Sequence, residues 1–283
     1  MRLGVPRTYH VDRAHFTWTR TSAALGKRVL RVTVRYPVIA GLARPRKGAA
    51  GLLPLIVFAP GFRRCPSGYS DLLRQWSSAG YVVAAVDFPR TSCKVAAPYE
   101  RDVTHQPADL AFVVRRLLAR SALRHGKLAG LISAREIAVA GHSDGGDTAA
   151  AMVGAPCCRD TQVRAAVILS GAQWPAFTGR WFARPTAPLL VIQGTDDTWN
   201  PPADSARLYR ADATGPRYYL DLPGADHFSP YLGDRSPEPI VARVTIDFLD
   251  RYVLGQRGKS AAMRRAGTVA GKAVLTRARR LPR

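Results

Sequence analysis

The stretch IAVAGHSDGGDTAAA, residues 137–151, joins an apolar run, a serine between glycines and a run of small residues. Residues 137–140 have the composition of a buried strand, and residues 144–153 suit a helix that follows at once. The spacing Gly-x-Ser-x-Gly places Ser143 at the turn between them, as in a nucleophile elbow. The alternative is a glycine-rich turn without chemistry.

Physical reasons favour glycine at both ends of this pentapeptide. In so tight a turn, side chains at Gly141 and Gly145 would collide with neighbouring chains. The helix that begins here aims its free N–H groups and the positive end of its dipole at any negative charge developing near Ser143. The motif therefore predicts a serine placed for nucleophilic attack.

Strands and helices alternate on both sides of the motif. Predicted strands occupy residues 28–36, 53–59, 81–88, 163–169, 189–193 and 217–222, and predicted helices residues 70–79, 107–124, 203–209 and 240–252. This alternation is typical of an α/β protein with a mostly parallel central sheet and helices on both faces.

One domain accounts for this pattern. We expect an N-terminal extension over residues 1–27, the α/β domain over residues 28–254, and a basic tail over residues 255–283 that is disordered or forms an amphipathic helix. A basic loop rich in Gly, Ala and Pro follows the first strand at residues 41–51.

A serine hydroxyl needs a base to remove its proton and a carboxylate to orient that base. Two later strands each end in such a residue. LLVIQGTDDTWNP offers Asp196 and Asp197, and YYLDLPGADHFSP offers His227. The chain order Ser, acid, His is that of the α/β-hydrolases. Either aspartate could instead be a solvated turn residue.

The negative oxygen formed during acyl transfer needs two N–H donors. One is expected from Asp144, which follows the serine, and the other from Phe62, in the loop after the strand LIVFAPGF. Gly61 would let that backbone approach closely, although an ordinary Pro-Gly turn has the same sequence.

The segments FAPGF, GYVVAAVDFPRT, IAVAGHSDGG, LLVIQGTDDT and LDLPGADHFSP occur in the order found in α/β-hydrolases. The chain most resembles the dienelactone-hydrolase-related group, which includes cutinase-like polyester hydrolases, chlorophyllase-like enzymes and platelet-activating-factor acetylhydrolases. The resemblance covers about residues 28–254 and implies an α/β-hydrolase fold.

The resemblance also implies roles for individual residues. It assigns the nucleophile to Ser143, the acid to Asp197, the base to His227, the oxyanion donors to Phe62 and Asp144, and a wall of the substrate groove to Trp174.

Two features set this chain apart within the group. Dienelactone hydrolases use a cysteine nucleophile where this chain has Ser143, and cutinase-like enzymes usually have Met where it has Asp144. The resemblance therefore transfers the reaction type and not the substrate. Trp174 could equally form an aromatic cluster with Phe177 and Trp181 that holds its loop in place.

The formal net charge is +22, and 36 of the 42 basic residues are arginines. Residues 255–283 carry nine basic residues and no acid. No zinc-finger, helix-turn-helix or RNA-recognition signature accompanies this charge, which argues against a nucleic-acid function. A weak contact of the tail with an anionic surface remains an expectation.

The four cysteines contain no C-x-x-C pair, so no zinc site is expected. Cys65 and Cys93 each follow a predicted strand and could pair, whereas Cys157 and Cys158 are adjacent and would need other partners or remain thiols. Four free thiols are the alternative. No signal peptide is visible, which favours the cytoplasm, although a clipped secreted form would look the same.

These observations together predict a serine hydrolase that cleaves small or lipid-like carboxylic esters through an acyl-enzyme, without metal or cofactor. The alternatives are an acyltransferase or peptidase with the same triad, and a catalytically silent binding protein on a hydrolase fold. Oligomeric state does not follow from the sequence.

Overall fold

The computed structural model describes residues 8–22, 25–38, 53–184, 186–212, 214–233 and 238–278. The basic loop expected at residues 41–51 lies outside the described residues. Across the described ranges, no helix is both long and apolar enough to cross a membrane.

The described residues form ten strands and six α-helices. The strands are β1 His10–Ser22, β2 Gly26–Val38, β3 Leu53–Ala59, β4 Val82–Asp87, β5 Ile132–His142, β6 Val163–Leu169, β7 Leu189–Gly194, β8 Arg217–Leu222, β9 Thr268–Val269 and β10 Ala273–Arg277. The helices are α1 Ser70–Ser78, α2 Gln106–Ser121, α3 Asp144–Gly154, α4 Pro202–Ala211, α5 Glu238–Tyr252 and α6 Lys259–Ala266, and 3-10 helices occupy Pro66–Tyr69 and Glu100–His105.

All ten strands join one sheet, in the order β1-β2-β4-β3-β5-β6-β7-β8-β10-β9. The six strands from β4 through β3 to β8 pair in parallel. Antiparallel strands flank this parallel part, because β2 pairs with β4 and β10 pairs with β8 in that sense. The expected α/β-hydrolase fold, with a mostly parallel sheet, is confirmed.

Two hydrophobic cores cover the two faces of the sheet. One face packs against α2, α3 and α4, through residues such as Leu110 and Met152. The opposite face packs against α1, α5 and α6, through residues such as Trp76 and Phe248. Because neighbouring side chains of a strand point to opposite faces, fully buried strands such as β3 supply both cores, with Val57 on one side and Phe58 on the other.

The N-terminal segment extends the sheet rather than preceding it. β1 pairs with β2 along its whole length, from His10 opposite Val38 to Ser22 opposite Gly26. A buried arginine fastens this hairpin to the helical layer, since Arg28 makes ion pairs of 2.6 Å with both Asp102 and Asp109.

The basic tail differs from the expectation of a disordered segment or a lone amphipathic helix. Residues 259–266 form α6, whose Met263 is fully buried, and residues 273–277 form β10, which pairs with β8. The tail therefore packs against α5 and lengthens the sheet because its apolar positions find partners there.

Both pairs of cysteines form disulfides. Cys65 pairs with Cys93, which was one of the expected alternatives. The expectation that Cys157 and Cys158 would need other partners or stay reduced is wrong, because these neighbours pair with each other.

Candidate active site

Ser143 stands between β5 and α3, at the carboxyl end of the parallel sheet. Its φ of 55° lies in the left-handed region that non-glycine residues rarely adopt. The main-chain N–H of Ser143 donates to Leu169 at 2.9 Å, and its carbonyl accepts from Asp147 at 3.0 Å. The strained turn is thus fixed on both sides, as expected of a nucleophile elbow.

The two outer glycines of the elbow allow contacts that a side chain would prevent. A Cβ at Gly141 would overlap the carbonyl of Gly145, and a Cβ at Gly145 would overlap the carbonyl of Ala59 at the end of β3. α3 therefore begins in direct contact with the strand that precedes the loop of Phe62. This is the physical reason for glycine in the motif.

His227 and Asp197 meet at the ends of β8 and β7. His227 Nδ1 lies 2.7 Å from Asp197 Oδ2, and both side chains are almost fully buried. Nδ1 bonded to a carboxylate carries the proton, which leaves Nε2 as the basic nitrogen. Asp196 is exposed, and its carboxylate accepts from Thr195 instead.

Asp197 is held as a carboxylate by several donors. Its Oδ1 accepts the main-chain N–H groups of Trp199 and Asn200 at 3.0 and 2.9 Å, and Gln193 donates to Oδ2 at 2.9 Å. Burial acts to raise the pKa of Asp197, but hydrogen bonds from His227 and Asn200 outweigh it and leave the pKa below its ordinary value. The group is therefore charged and can orient His227.

A chain of hydrogen bonds links the loop after β3 to the backbone of His227. The Gly61 N–H donates to the Tyr69 hydroxyl at 3.1 Å, and that hydroxyl lies 2.8 Å from His142 Nδ1. His142 Nε2 lies 2.8 Å from the His227 carbonyl, which can only accept. Nε2 therefore carries the proton, and the Tyr69 hydroxyl donates to Nδ1.

His142 serves this chain as a neutral ring. Burial, and then the nearby His227, lower the pKa of His142 to about 3. Its ring centroid lies 4.7 Å from that of His227, so the ring of His227 stands directly beside the elbow. The hydrogen bond of His142 to the His227 carbonyl makes this ring a support for the loop of His227.

The loop that carries Phe62 approaches Ser143 closely. A Cβ at Gly61 would lie 3.1 Å from the Cβ of Ser143, so the backbone beside Phe62 runs along the candidate nucleophile. Asp144 opens α3, where its N–H is among the orphan donors of the helix. Asp144 is therefore part of the elbow and the residue before Phe62 contacts it, and the assignment of both as oxyanion donors stays a prediction.

The carboxyl group of Asp144 is in an unusual setting. Burial, together with the charge of Glu100, raises the pKa of Asp144 to about 7. Its Oδ2 is buried and accepts no hydrogen bond from the described residues. A carboxyl group that titrates near neutrality therefore stands next to the candidate nucleophile.

Trp174 belongs to the irregular segment between β6 and β7. It is partly buried, and its ring meets Phe177 edge-on at 6.2 Å, while Phe177 meets Trp181 in the same way at 6.1 Å. The segment is tied to α3 because the N–H of Ala172 donates to the buried Asp147 at 2.6 Å. The aromatic cluster expected as an alternative is therefore present, and Trp174 is its partly open end.

Sequence reasoning did not single out Trp199. Its side chain is 72% exposed, although its ring lies nearly parallel to that of His227 at 6.3 Å, with an interplanar angle of 20°. Phe228 meets Trp199 edge-on at 5.6 Å. The only signal in the sequence is a tryptophan two positions after the candidate acid.

No metal centre accompanies these residues: within the described ranges, no group of three or more His, Cys, Asp or Glu side chains could hold an ion. The sheet order, the elbow and the positions of acid and histidine at the carboxyl ends of parallel strands define an α/β-hydrolase.

A family model narrows this class. The model for PET hydrolase-like proteins, the PETase family, matches residues 39–262, which is most of the chain. The chain belongs to this family and is a carboxylic-ester hydrolase. The family falls within the cutinase-like group that the sequence motifs resemble, so that resemblance is confirmed.

Proposed function

We propose that this enzyme cleaves esters through an acyl-enzyme formed on Ser143, with His227 as general base and Asp197 as its orienting acid. The observation that carries the proposal is the 2.7 Å contact between His227 Nδ1 and Asp197 Oδ2 beside a strained serine turn. Strain at Ser143 keeps the hydroxyl presented on the turn, and Nε2 of His227 is the nitrogen left to accept its proton.

The reaction then follows from these positions. His227 takes the proton of Ser143 while the serine oxygen attacks the ester carbonyl, and the N–H groups of Phe62 and Asp144 stabilise the negative oxygen. His227 passes the proton to the departing alcohol. Water, activated by the same histidine, releases the acid and restores the serine.

The family name brings aromatic polyesters into the proposal as substrates. Exposed Trp199 offers aromatic surface beside the His227 ring, which suits esters with flat, apolar parts, and the family resemblance adds the partly exposed Trp174 as a wall of the groove. Asp144 stands where cutinase-like enzymes usually have Met, so small aromatic esters are the first substrates to test.

The test is labelling of the active serine. A fluorophosphonate should add once to the wild type, on Ser143, and Ser143→Ala should abolish both the adduct and ester turnover, with kcat/KM falling by about three orders of magnitude or more. Ser78→Ala, at the end of α1, is the matched control and should behave as the wild type. An adduct that persists in folded Ser143→Ala would refute the proposed nucleophile.

A further inference from the structure

A cationic and aromatic ledge borders the proposed site on the side of His227. Its members are Arg64, Phe228 and Trp199. The guanidinium carbon of Arg64 lies 4.2 Å from the centroid of the Phe228 ring, within the range of a cation–π contact. The Phe228 ring meets that of His227 edge-on, with 4.7 Å between centroids.

The ledge lies on the side from which the alcohol leaves. In the proposed reaction, His227 hands its proton to the oxygen of the departing alcohol, so that part of the substrate passes beside the histidine ring. Trp199 and Phe228 both pack against this ring. In the proposed reaction, the departing alcohol would therefore pass next to the ledge.

Arg64 is close enough to act on a charge in the alcohol part. The guanidinium carbon of Arg64 lies 4.2 Å from the centre of the Phe228 ring, and that centre lies 4.7 Å from the centre of the His227 ring. The guanidinium carbon is therefore at most about 9 Å from the centre of the His227 ring. That distance is comparable with the Debye length of about 8 Å at physiological ionic strength, and a substrate group between them would be closer still.

No carboxylate neutralises Arg64 among the residues that the structure describes, and its side chain is exposed. The nearest acid along the chain to Phe228 is Asp226, whose Oδ1 accepts the main-chain N–H groups of Phe228 and Ser229 at 2.8 and 2.7 Å. The positive charge of Arg64 is therefore available to a ligand.

The backbone of Arg64 is held firmly. Its N–H donates to Gly61 at 3.1 Å, and the N–H of Arg63 donates to Thr91 at 2.7 Å. The next residue, Cys65, is joined to Cys93 by a disulfide. Because the loop is short and anchored, its backbone loses little conformational entropy when Arg64 binds a substrate group.

We propose that Arg64 is a specificity-determining residue that favours esters whose alcohol part carries a carboxylate. This inference rests on the proposed function, because it assumes attack by Ser143 and departure of the alcohol past His227. Chains with a carboxylate end, such as hydrolysis of a polyester leaves behind, belong to this substrate class. The enzyme would then act on such ends in preference to neutral chains.

The experiment compares two esters that differ in one charge. The first is 4-(butyryloxy)benzoate, whose leaving phenol carries a carboxylate, and the second is its neutral methyl ester. The ratio of their kcat/KM values is measured for the wild type, Arg64→Gln, Arg64→Lys and Arg120→Gln. Arg120 is the matched control, since it is exposed and lies 5.7 Å over the ring of Phe16 on β1.

Arg64→Gln should lower the ratio of anionic to neutral ester about 3- to 10-fold, as expected for a single charge acting over this distance near a surface. Arg64→Lys should keep most of the preference, and Arg120→Gln should keep all of it. In the wild type, the ratio should fall as salt rises towards 1 M, where screening is nearly complete over these distances.

An unchanged ratio in Arg64→Gln, or an equal loss in Arg120→Gln, would overturn the inference. Should Arg64→Gln not fold, a wild-type ratio that is indifferent to salt would overturn it as well. Failure of the proposed function looks different, because no fluorophosphonate adduct would then form on Ser143 and Ser143→Ala would cleave both esters as well as the wild type does.

Discussion

At the scale of single residues, Asp144 brings two opposed effects to the proposed oxyanion site. Its main-chain N–H at the start of α3 favours negative charge on the ester oxygen. Its side chain, when ionised, opposes that charge. Because burial and Glu100 raise the pKa of Asp144 to about 7, the carboxyl group is neutral below this pH and charged above it.

The kcat/KM of Asp144→Asn should therefore increase relative to that of the wild type as the pH rises. Below about pH 6 both proteins carry a neutral side chain at this position, whereas above pH 7 only the wild type carries a negative charge there. We expect the ratio of kcat/KM, variant over wild type, to increase about tenfold between pH 5.5 and 8.5.

The control for this comparison is Asp221→Asn on β8. Burial also raises the pKa of Asp221, but the residue is not part of the proposed site. Steady-state kinetics with a neutral ester across the pH range measure both ratios. A flat ratio for Asp144→Asn would show that its charge is not felt at the reacting carbonyl.

The core residues of the proposed site follow from the sequence because each directly follows a strand. Parallel strands bring their carboxyl ends to one edge, so the chain order of Ser143, Asp197 and His227 suffices to select them for test. The choice of Asp197 over Asp196 needed the family resemblance.

Residues whose contacts join distant segments of the chain could not be predicted from the sequence. Tyr69 lies 73 positions before the His142 that it contacts, and Arg64 reaches Phe228 only in the folded chain. Neither contact leaves a mark on local composition or periodicity.

At the scale of elements, the strands that form the middle of the sheet were predicted because they are continuously apolar. β3 and β7, for example, are buried on both faces over their whole length. β1 was missed because it lies at the edge and is largely exposed, with only Ala14 and Trp18 buried. Its pairing with β2 satisfies its backbone without demanding an apolar sequence.

The Cys65–Cys93 disulfide joins the loop after β3 to the loop after β4, and its removal should destabilise the protein. The bond closes a segment with a sequence separation of 28, so it restricts the unfolded chain considerably. We expect Cys65→Ala/Cys93→Ala to lower the free energy of unfolding by about 2–4 kcal/mol. Urea unfolding followed by tryptophan fluorescence measures the change.

Cys157→Ala/Cys158→Ala is the matched control, because it removes the same number of sulfur atoms but opens no loop. Its effect on stability should be much smaller, since the entropic contribution of a disulfide grows with the length of chain it closes. Equal losses in the two double variants would contradict loop closure as the origin of the stabilisation.

At the scale of the whole molecule, residues 255–278 of the basic tail belong to the packed domain. Lys259 makes ion pairs with Asp250 at 2.6 Å and Asp247 at 3.0 Å, which joins α6 to α5. Met263 and Ala273 are buried against the sheet and α5. The sequence of the tail, with nine basic residues and no acid, does not indicate this packing, because its acidic partners lie on another helix.

Removal of residues 255–283 should therefore destabilise the enzyme rather than only reduce its charge. The deletion exposes the edge of β8 and the apolar surface that covers Met263, whose burial alone contributes about 1.5–3 kcal/mol. We expect the melting temperature to fall by about 5 °C or more.

The control deletes only residues 279–283, which removes three arginines and leaves α6 and β10 intact. Differential scanning calorimetry at two salt concentrations separates packing from charge, because lost packing persists in salt whereas a charge effect is screened. Equal melting temperatures for the two deletions would show that the tail contributes no packing.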